Sequence, residues 1–177
     1  MSLHGNTDVD FGARWPYGGG LDPTARLIGE REIERLPSVY ALAVDVGDWE
    51  TVRSVFEDSC EIEGSLGTAA IDDYVPRIRE FCGQFTTVMH NVTTCVVVFE
   101  GDDRARLDSF SLALYVDPLD GGPTRGAGAH YMDEVRRGPD GWKIAARRVN
   151  FPWRWQDDRT WAGRDFTLRV APAPHGG

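Results

Sequence analysis

His90, Asp108 and Arg148 are ionisable residues on predicted strand faces that otherwise resemble core. Alternate residues of a strand share a face, and the residues sharing these faces are apolar: Val88, Val92, Val96 and Val98 for His90; Phe110, Leu112, Leu114 and Val116 for Asp108; Trp142, Ile144 and Ala146 for Arg148. Burying an ionisable group is costly unless it is paired or lines a polar cavity. The pattern therefore predicts either a buried Asp108–Arg148 ion pair with a core histidine, or a polar site inside the fold.

These residue types suit acid–base chemistry. An imidazole titrates near neutral pH and can act as a general base, and a guanidinium can stabilise developing negative charge or bind a carboxylate. His130, which shares a face with Met132, is a candidate second acid, although a lone strand histidine is more often structural.

Asp45 lies near the C-terminal end of a predicted helix, where the helix dipole disfavours a negative charge. Helical periodicity leaves it off the buried stripe that contains Tyr40. Two interpretations stay open, because the carboxylate either serves a site or simply caps the turn at Gly47.

The sequence contains none of the GxSxG, HExxH or P-loop motifs. Its four histidines, at positions 4, 90, 130 and 175, have no metal-ligand spacing to one another. We therefore predict neither a metal site nor a cofactor.

Three helices are predicted before a run of strands. Residues 28–46 have a helical apolar pattern that Pro37 should kink or delay and that Gly47 should end. Asp48 is the expected N-cap of a second helix, and a third covers residues 68–82. Four long strands are then predicted over residues 88–99, 105–116, 127–136 and 142–149. This order favours an α+β fold, with helices on one face of a curved, mainly antiparallel sheet that encloses a pocket.

The composition is that of an ordinary globular protein of 177 residues, with 41% hydrophobic and 27% charged residues. The formal net charge of −9 argues against partners that need a basic face, namely nucleic acid and anionic membrane surfaces. Three cysteines without CxxC spacing predict free buried thiols in a reducing compartment. With no apolar leader or membrane-spanning run apparent, we expect a cytoplasmic protein.

Three segments carry a resemblance to the SnoaL-like branch of the nuclear transport factor 2 (NTF2)-like superfamily. They are YALAVDVGDWETVRSVFEDSCEIEG, VMHNVTTCVVVFEGDDRARLDS and AHYMDEVRRGPDGWKIAARRV. The resemblance covers residues 28–155 and implies a cone-shaped NTF2-like fold. We expect an N-terminal extension over residues 1–25, the SnoaL-like domain over 26–160 and a C-terminal tail over 161–177. Trp15 and Tyr17 of the extension are candidates for tying it to the body or to a neighbouring subunit. The aromatic stretch NFPWRW (150–155) and Trp161 are candidates for covering a pocket mouth or a subunit contact.

Three enzymes of this superfamily imply roles for individual residues. Scytalone dehydratase, hexachlorocyclohexane dehydrochlorinase and bile-acid 7α-dehydratase eliminate without cofactors and use an Asp and a His that match Asp45 and His90. A tyrosine of the bile-acid enzyme matches Tyr40, and its sheet Asp and Arg are placed at Asp108 and Arg148. The resemblance thus implies His90 as general base, Asp45 as the residue that orients it, and Tyr40 as a hydrogen-bond donor. Asp108, Arg148 and His130 would bind substrate.

The chain departs from this pattern at two positions. Val44 stands where scytalone dehydratase has a tyrosine, and Gly64 stands where both dehydratases have one. Those tyrosines help to position or protonate the leaving oxygen, so the resemblance implies an Asp–His pair and not a particular dehydration.

The resemblance favours an enzyme over a binding protein, and specifically a cofactor-independent lyase acting on a small cyclic, largely apolar substrate. Two alternatives stay open: an isomerase or polyketide-type cyclase using the same residues, and a non-catalytic small-molecule-binding accessory protein. A homodimer or homotrimer is also implied.

Overall fold

The computed structural model describes residues 22–157, apart from the side chains of Asp117 and Asp157. The expected arm with Trp15 and Tyr17, the tail with Trp161, and both His4 and His175 lie outside the described residues.

Three helices are present in this range: α1 (Pro23–Val46), α2 (Trp49–Ser54) and α3 (Ile71–Cys82). Asp22 caps α1 by accepting a hydrogen bond from the Ala25 amide. The helix runs through Pro37, so its start is not delayed as predicted. It ends at Gly47, where φ is +74°, in the left-handed region that glycine adopts without strain.

Asp48 begins α2, as predicted, by accepting a hydrogen bond of 3.0 Å from the Thr51 amide. Because only Gly47 and Asp48 separate the two helices, the last turn of α1 is fixed in direction. That turn carries Asp45.

The sheet has six strands: β1 (Phe56–Gly64), β2 (Gly67–Ala70), β3 (Phe85–Phe99), β4 (Arg104–Pro118), β5 (Thr124–Gly138) and β6 (Gly141–Asp157). Their spatial order is β2-β1-β6-β5-β4-β3. All neighbours are antiparallel except β1 and β6, which pair in parallel. The fold is therefore α+β, with helices packed on a curved, mostly antiparallel sheet, which confirms the predicted class.

The hairpin of β1 and β2, between α2 and α3, is absent from the predicted elements. Its first strand, FEDSCEIEG, carries acidic residues on an exposed face while Phe56, Cys60 and Ile62 are buried. The acidic residues mask the apolar alternation, so the segment resembles a polar loop.

The main core lies between the helices and one face of the sheet, which we call the inner face. Tyr40 and Val44 of α1 pack there with Tyr74 of α3, and with Ala129 and Tyr131 of β5. Within residues 22–157, no helix packs on the opposite, outer face, because the contacts of α1 and α3 join this same inner core.

Three irregularities in the long strands decide which residues enter the core. One is the register shift between Gly128 and His130 of β5, opposite an extra residue of β6 between Asn150 and Trp153. In β3 the register shifts between Thr93 and Cys95, and Thr94 has a positive φ of 49°. In β6 the register shifts opposite Glu134 and Val135, so Ala145 is an extra residue. An extra residue reverses the alternation of the rest of a strand.

The free cysteines follow the prediction in part. Cys60 and Cys82 are buried and Cys95 is half-buried. Within residues 22–157, no helix combines the length and the apolar character needed to cross a bilayer.

Candidate active site

Asp45 and His90 meet between the last turn of α1 and the early part of β3. One oxygen of the carboxylate lies 2.6 Å from His90 Nδ1, and the other accepts a hydrogen bond of 2.7 Å from the His90 backbone amide. The side chains are only 15% and 7% exposed. The carboxylate thus joins helix to strand and fixes the imidazole ring.

This contact defines the tautomer of the neutral ring. An ionised carboxylate can only accept hydrogen bonds, so Nδ1–H is the donor and Nε2 keeps a free lone pair. The Tyr115 hydroxyl lies 3.4 Å from Nε2, and the two rings meet edge to face with centroids 5.8 Å apart. The nitrogen that can accept a proton therefore faces a phenol.

Tyr115 belongs to β4, on the inner face, and packs against Phe81 and Phe85. Burial raises the pKa of its hydroxyl far above the ordinary value, and the nearby phenol of Tyr131 adds to the shift. The phenol is therefore neutral at physiological pH and can donate a hydrogen bond.

A second ionic pair, Asp133 with Arg147, is fully inside the inner core. Arg147 Nε and Nη2 donate to the two carboxylate oxygens at 2.7 and 2.8 Å, and the two side chains are 2% and 0% exposed. The guanidinium lies 4.7 Å from the ring centroid of Tyr40 and 4.4 Å from that of Tyr131. Its Nη1 is buried without a hydrogen-bond partner among the described residues.

Burial and charge act in opposite directions on this pair. Burial raises the pKa of Asp133, and the Arg147 charge opposes that shift. Burial alone would lower the pKa of the Arg147 guanidinium. The charge and hydrogen bonds of Asp133 have the larger combined effect, so the guanidinium pKa is raised. The pKa of Tyr40 is raised well above its ordinary value, chiefly by burial. Among the described residues, the inner core thus holds a buried Asp133–Arg147 ion pair surrounded by neutral phenols.

The predicted Asp108–Arg148 pair is wrong. Asp108 lies on the outer face and accepts a hydrogen bond of 2.7 Å from Nε2 of His130, whose ring stacks on Phe110 with centroids 4.6 Å apart. Arg148 is exposed and pairs with Glu63 at 3.0 Å. None of these groups reaches the Asp45–His90 pair.

The extra residue Ala145 accounts for the error, because it turns Arg147 inward and Arg148 outward. On β4 the mistake has another cause. The outer residues Phe110 and Leu112 are apolar, so alternation alone does not show which face is core. The shift at Thr94 likewise removes Val96 and Val98 from the face of His90, where they were predicted to lie.

The space beside Gly64 is filled by Tyr74. A Cβ atom at position 64 would overlap the Tyr74 hydroxyl, so the glycine is required by this contact. Tyr74, from α3, therefore places a phenol next to the position where the dehydratases carry a tyrosine on the strand. Its pKa is raised, mainly by burial.

A cleft of about 460 Å³ opens next to Tyr115. Its walls include Leu66, Phe81, Phe151 and two arginines, Arg125 and Arg154. Neither Asp45 nor His90 lines it, so Tyr115 is the residue that the cleft and the pair have in common.

Tyr40, which the resemblance implies as a hydrogen-bond donor, is buried in the core with its ring against Arg147. The sequence analysis missed Tyr115, which follows Ala113 on the inner face, and Asp133, which follows Tyr131. Because both faces of β4 and β5 carry apolar or buried residues, alternation does not mark this face as the core. Among the described residues, no group of three or more His, Cys, Asp or Glu side chains is arranged to hold a metal ion.

The sequence of this chain matches the SnoaL-like domain family over residues 25–148. A comparison of the same sequence with curated proteins gave no significant match.

Solved structures share the fold. A hexachlorocyclohexane dehydrochlorinase of type 2 has a TM-score of 0.71 at 18% identity and covers 84% of this chain and 99% of its own. The type 3 enzyme from Novosphingobium barchaimii has a TM-score of 0.69 at 20% identity, covering 82% and 98%. A scytalone dehydratase candidate from Novosphingobium aromaticivorans gives 0.69 at 20% identity, covering 80% and 98%.

Proposed function

The chain belongs to the SnoaL-like family, and we propose that it is a cofactor-independent lyase that eliminates a small leaving group from a small cyclic, largely apolar substrate. The observation that carries the proposal is the Asp45–His90 contact of 2.6 Å, which leaves Nε2 as the free basic nitrogen.

In the proposed reaction, His90 Nε2 takes a proton from a carbon next to an electron-withdrawing group. The electrons of that C–H bond form the new double bond, and the leaving group departs with its own bonding pair. Asp45 stabilises the imidazolium and holds the ring in one orientation. A general acid–base step of this kind typically contributes about 10²–10⁴-fold.

Tyr115 has two roles in this scheme. Its side chain lines the cleft and also contacts His90 Nε2. In this scheme the Tyr115 side chain therefore moves aside before a substrate carbon approaches Nε2. Its neutral hydroxyl can then donate to a leaving oxygen, a task that tyrosines perform in the related dehydratases.

Arg147 lies among Tyr40 and Tyr131 with Asp133 as its ion-pair partner, so its role in this scheme is to hold the buried phenols in place. We assign Tyr40 to this cluster, where its hydroxyl can hydrogen-bond substrate or leaving group. We do not extend the proposal to Asp108, His130 and Arg148, since their side chains lie away from the inner face.

The structural relatives support elimination as the reaction class. Two of them are named as dehydrochlorinases and one as a scytalone dehydratase candidate. Because the sequence identity is only 18–20%, the similarity itself establishes a shared fold. Elimination by this chain is our proposal.

The test is a panel of cyclic alcohols, steroids, aromatic polyketides and cyclic chlorides, monitored by mass spectrometry for loss of water or of hydrogen chloride. Activity should disappear in His90→Gln and fall in Asp45→Asn. Ser38→Glu on the exposed side of α1 is the control and should turn over normally. Full turnover in both site variants would show that the pair is not catalytic. A product of unchanged mass would instead assign an isomerase or cyclase.

One observation favours a different class. Because Asp45 also binds the His90 backbone amide and His90 does not line the cleft, the pair also fits a structural clamp in a non-catalytic binding protein. In that case Asp45→Asn would lower the free energy of unfolding, and ligands would bind without turnover.

We further propose that the protein forms a homodimer or homotrimer through its outer face. Met89, Phe110, Leu112, Trp153 and Trp155 are 40–47% exposed, and the sheet register places them on that face. Leu112→Glu should lower the mass measured by light scattering on a sizing column, whereas Ser38→Glu should not. A native protein of monomer mass would refute this assembly.

A further inference from the structure

We propose that the cleft beside Tyr115 recognises a carboxylate on an aromatic or cyclic ligand, with Arg125 and Arg154 as the residues that bind it. This inference names the substrate class of the proposed enzyme. It rests on the proposed function only in taking the bound carboxylate ligand to be the substrate.

The sheet register brings the two arginines together. Arg125 pairs with Gln156, and Ala127 pairs with Arg154, so the arginines are diagonal neighbours on β5 and β6. Diagonal neighbours on one face lie close enough for long side chains to reach the same group. Both line the cleft.

Neither guanidinium has a carboxylate partner among the described residues. Arg125 lies over the ring of Phe85, 5.6 Å from its centroid, and Arg154 over that of Phe151, at 4.7 Å. By contrast, several arginines elsewhere are within 4.0 Å of an acidic oxygen: Arg53, Arg106, Arg136, Arg147 and Arg148. The guanidinium groups in the cleft therefore keep their hydrogen-bond donors for a ligand.

The charge of the cleft is opposite to that of the chain. The net charge is −9, yet the described residues that line the cleft include two arginines and no acidic side chain. A cleft of one sign, with low-dielectric walls, concentrates ligands of the opposite charge.

The remaining walls specify a ring. Leu66, Phe81 and Phe151 give the cleft an apolar surface, and about 460 Å³ is within the usual range of small-molecule sites, roughly 300–1,000 Å³. Planar guanidinium groups match a carboxylate in geometry. A carboxylate held by the arginines would leave the ring to extend toward Tyr115 and the basic nitrogen of His90.

The experiment measures the Kd of three probes by isothermal titration calorimetry on the full chain: 2-naphthoate, the neutral 2-naphthamide and 2-naphthyl phosphate. On the unaltered protein, naphthoate should bind about tenfold more tightly than the amide, as expected when charge-assisted hydrogen bonds replace neutral ones. Arg125→Gln and Arg154→Gln should each weaken naphthoate about tenfold and change amide binding by less than about twofold.

Arg137→Gln is the matched control, because Arg137 is exposed at the far end of β5 and does not line the cleft. It should leave all three values unchanged. Three outcomes would overturn the inference. The unaltered protein could bind the acid and the amide with equal Kd, or it could bind neither of them. The third outcome is an equal loss of naphthoate affinity in Arg137→Gln and Arg125→Gln. Tenfold tighter binding of the phosphate than of the carboxylate would overturn the choice of carboxylate.

The same assay separates this inference from the proposed function. His90→Gln should still bind naphthoate, because the two arginines that hold the carboxylate are unaltered in this variant. Retained binding without elimination of any substrate would leave this inference intact and refute the lyase. The opposite outcome is also possible: neutral substrates are turned over, their turnover is the same in Arg125→Gln and Arg154→Gln, and no carboxylate binds. That outcome would support the lyase and refute this inference.

Discussion

The Asp45 carboxylate holds His90 at two points, with one oxygen 2.6 Å from ring Nδ1 and the other 2.7 Å from the backbone nitrogen. A single side chain thus sets both the position of the strand and the tautomer of the ring. Because the second contact is structural, catalysis and stability are linked at Asp45 but are separable at His90.

Replacing His90 with Gln should lower kcat by about 10²–10⁴-fold, the usual contribution of a general base, without large loss of stability. Asp45→Asn should lower kcat and also destabilise the fold, because its amide group can accept through one oxygen only. Turnover on the substrate found in the panel and urea denaturation give the two quantities. An Asp45→Asn variant with wild-type kcat would contradict the orienting role.

Tyr115→Phe should keep the ring packing and lower kcat about tenfold, since it removes one neutral hydrogen-bond donor, which contributes about 0.5–1.5 kcal/mol. KM should change little. The raised pKa of Tyr115 keeps the phenol protonated up to at least its ordinary pKa of 10.0, so its ionisation should add no basic limb to the pH–rate profile below that pH. The measurement is kcat against pH for both proteins. Unchanged kcat in Tyr115→Phe would remove the hydroxyl from the mechanism.

Gly64→Ala should destabilise the fold by about 1–3 kcal/mol, a typical cost of overpacking, because the new Cβ overlaps the Tyr74 hydroxyl. In a Tyr74→Phe background that hydroxyl is gone, so the same substitution should cost less. A double-mutant cycle by urea denaturation measures the coupling. Additive effects would mean that the two residues are not in contact.

Arg147→Met should destabilise the protein by about 3–5 kcal/mol, because it leaves Asp133 charged and buried. Adding Asp133→Asn should restore part of that loss. The adjacent Arg148→Met is the control and should change the free energy of unfolding by less than about 0.5 kcal/mol, as is usual for exposed ion pairs. Equal effects at the two arginines would contradict the assignment of the inward residue.

The protein should lose stability at high pH through its buried thiols. Burial raises the pKa of Cys60 from 9.0 to about 12 and that of Cys82 from 9.0 to about 11. Above pH 9 the unfolded chain releases these protons while the folded chain retains them, so the free energy of unfolding falls with rising pH. The stabilisation is complete below pH 9 and is lost as the pH rises through the folded-state values. Urea denaturation from pH 7 to 11 should show this decline, and Cys60→Ala should make it shallower.

The helices and the four long strands were predictable because their patterns are local. Asp48 acts through a residue three positions away, and the αL conformation at Gly47 ends α1 where the sequence indicates. The start of α1 was missed, because the Asp22 cap precedes the apolar pattern that begins at residue 28. His90 lies in the regular first part of β3, so alternation correctly places it on the inner face.

The charged interior was not predictable in the same way. Whether Arg147 or Arg148 points inward depends on one extra residue in β6, which no local pattern announces. Asp133 was missed because a strand that is buried on both faces does not show alternation. Its outer neighbour Met132 is half-buried, and His130 is only 2% exposed.

Helical periodicity also could not predict the contact between Asp45 and His90. The apolar stripe of α1 marks the residues that pack into the core, whereas Asp45 sits at the rim of that interface and is 15% exposed. Its partner comes from 45 residues along the chain. Only the tertiary fold brings the two together.

The place of β6 between β1 and β5 has a consequence for how the chain folds. The strands β3, β4 and β5 form a meander from local hairpins, but the β1–β2 hairpin joins the sheet only through β6, which is the last of the six described strands. β6 pairs with β5 as the next local hairpin and brings Arg147 to Asp133, 14 residues away in sequence. The contacts between β1 and β6, such as Glu61 with Ala146, are far more distant in sequence. Contacts so distant are slow to form, so we expect the buried ion pair to form with its hairpin and the closure of the sheet to be a later event on the folding pathway.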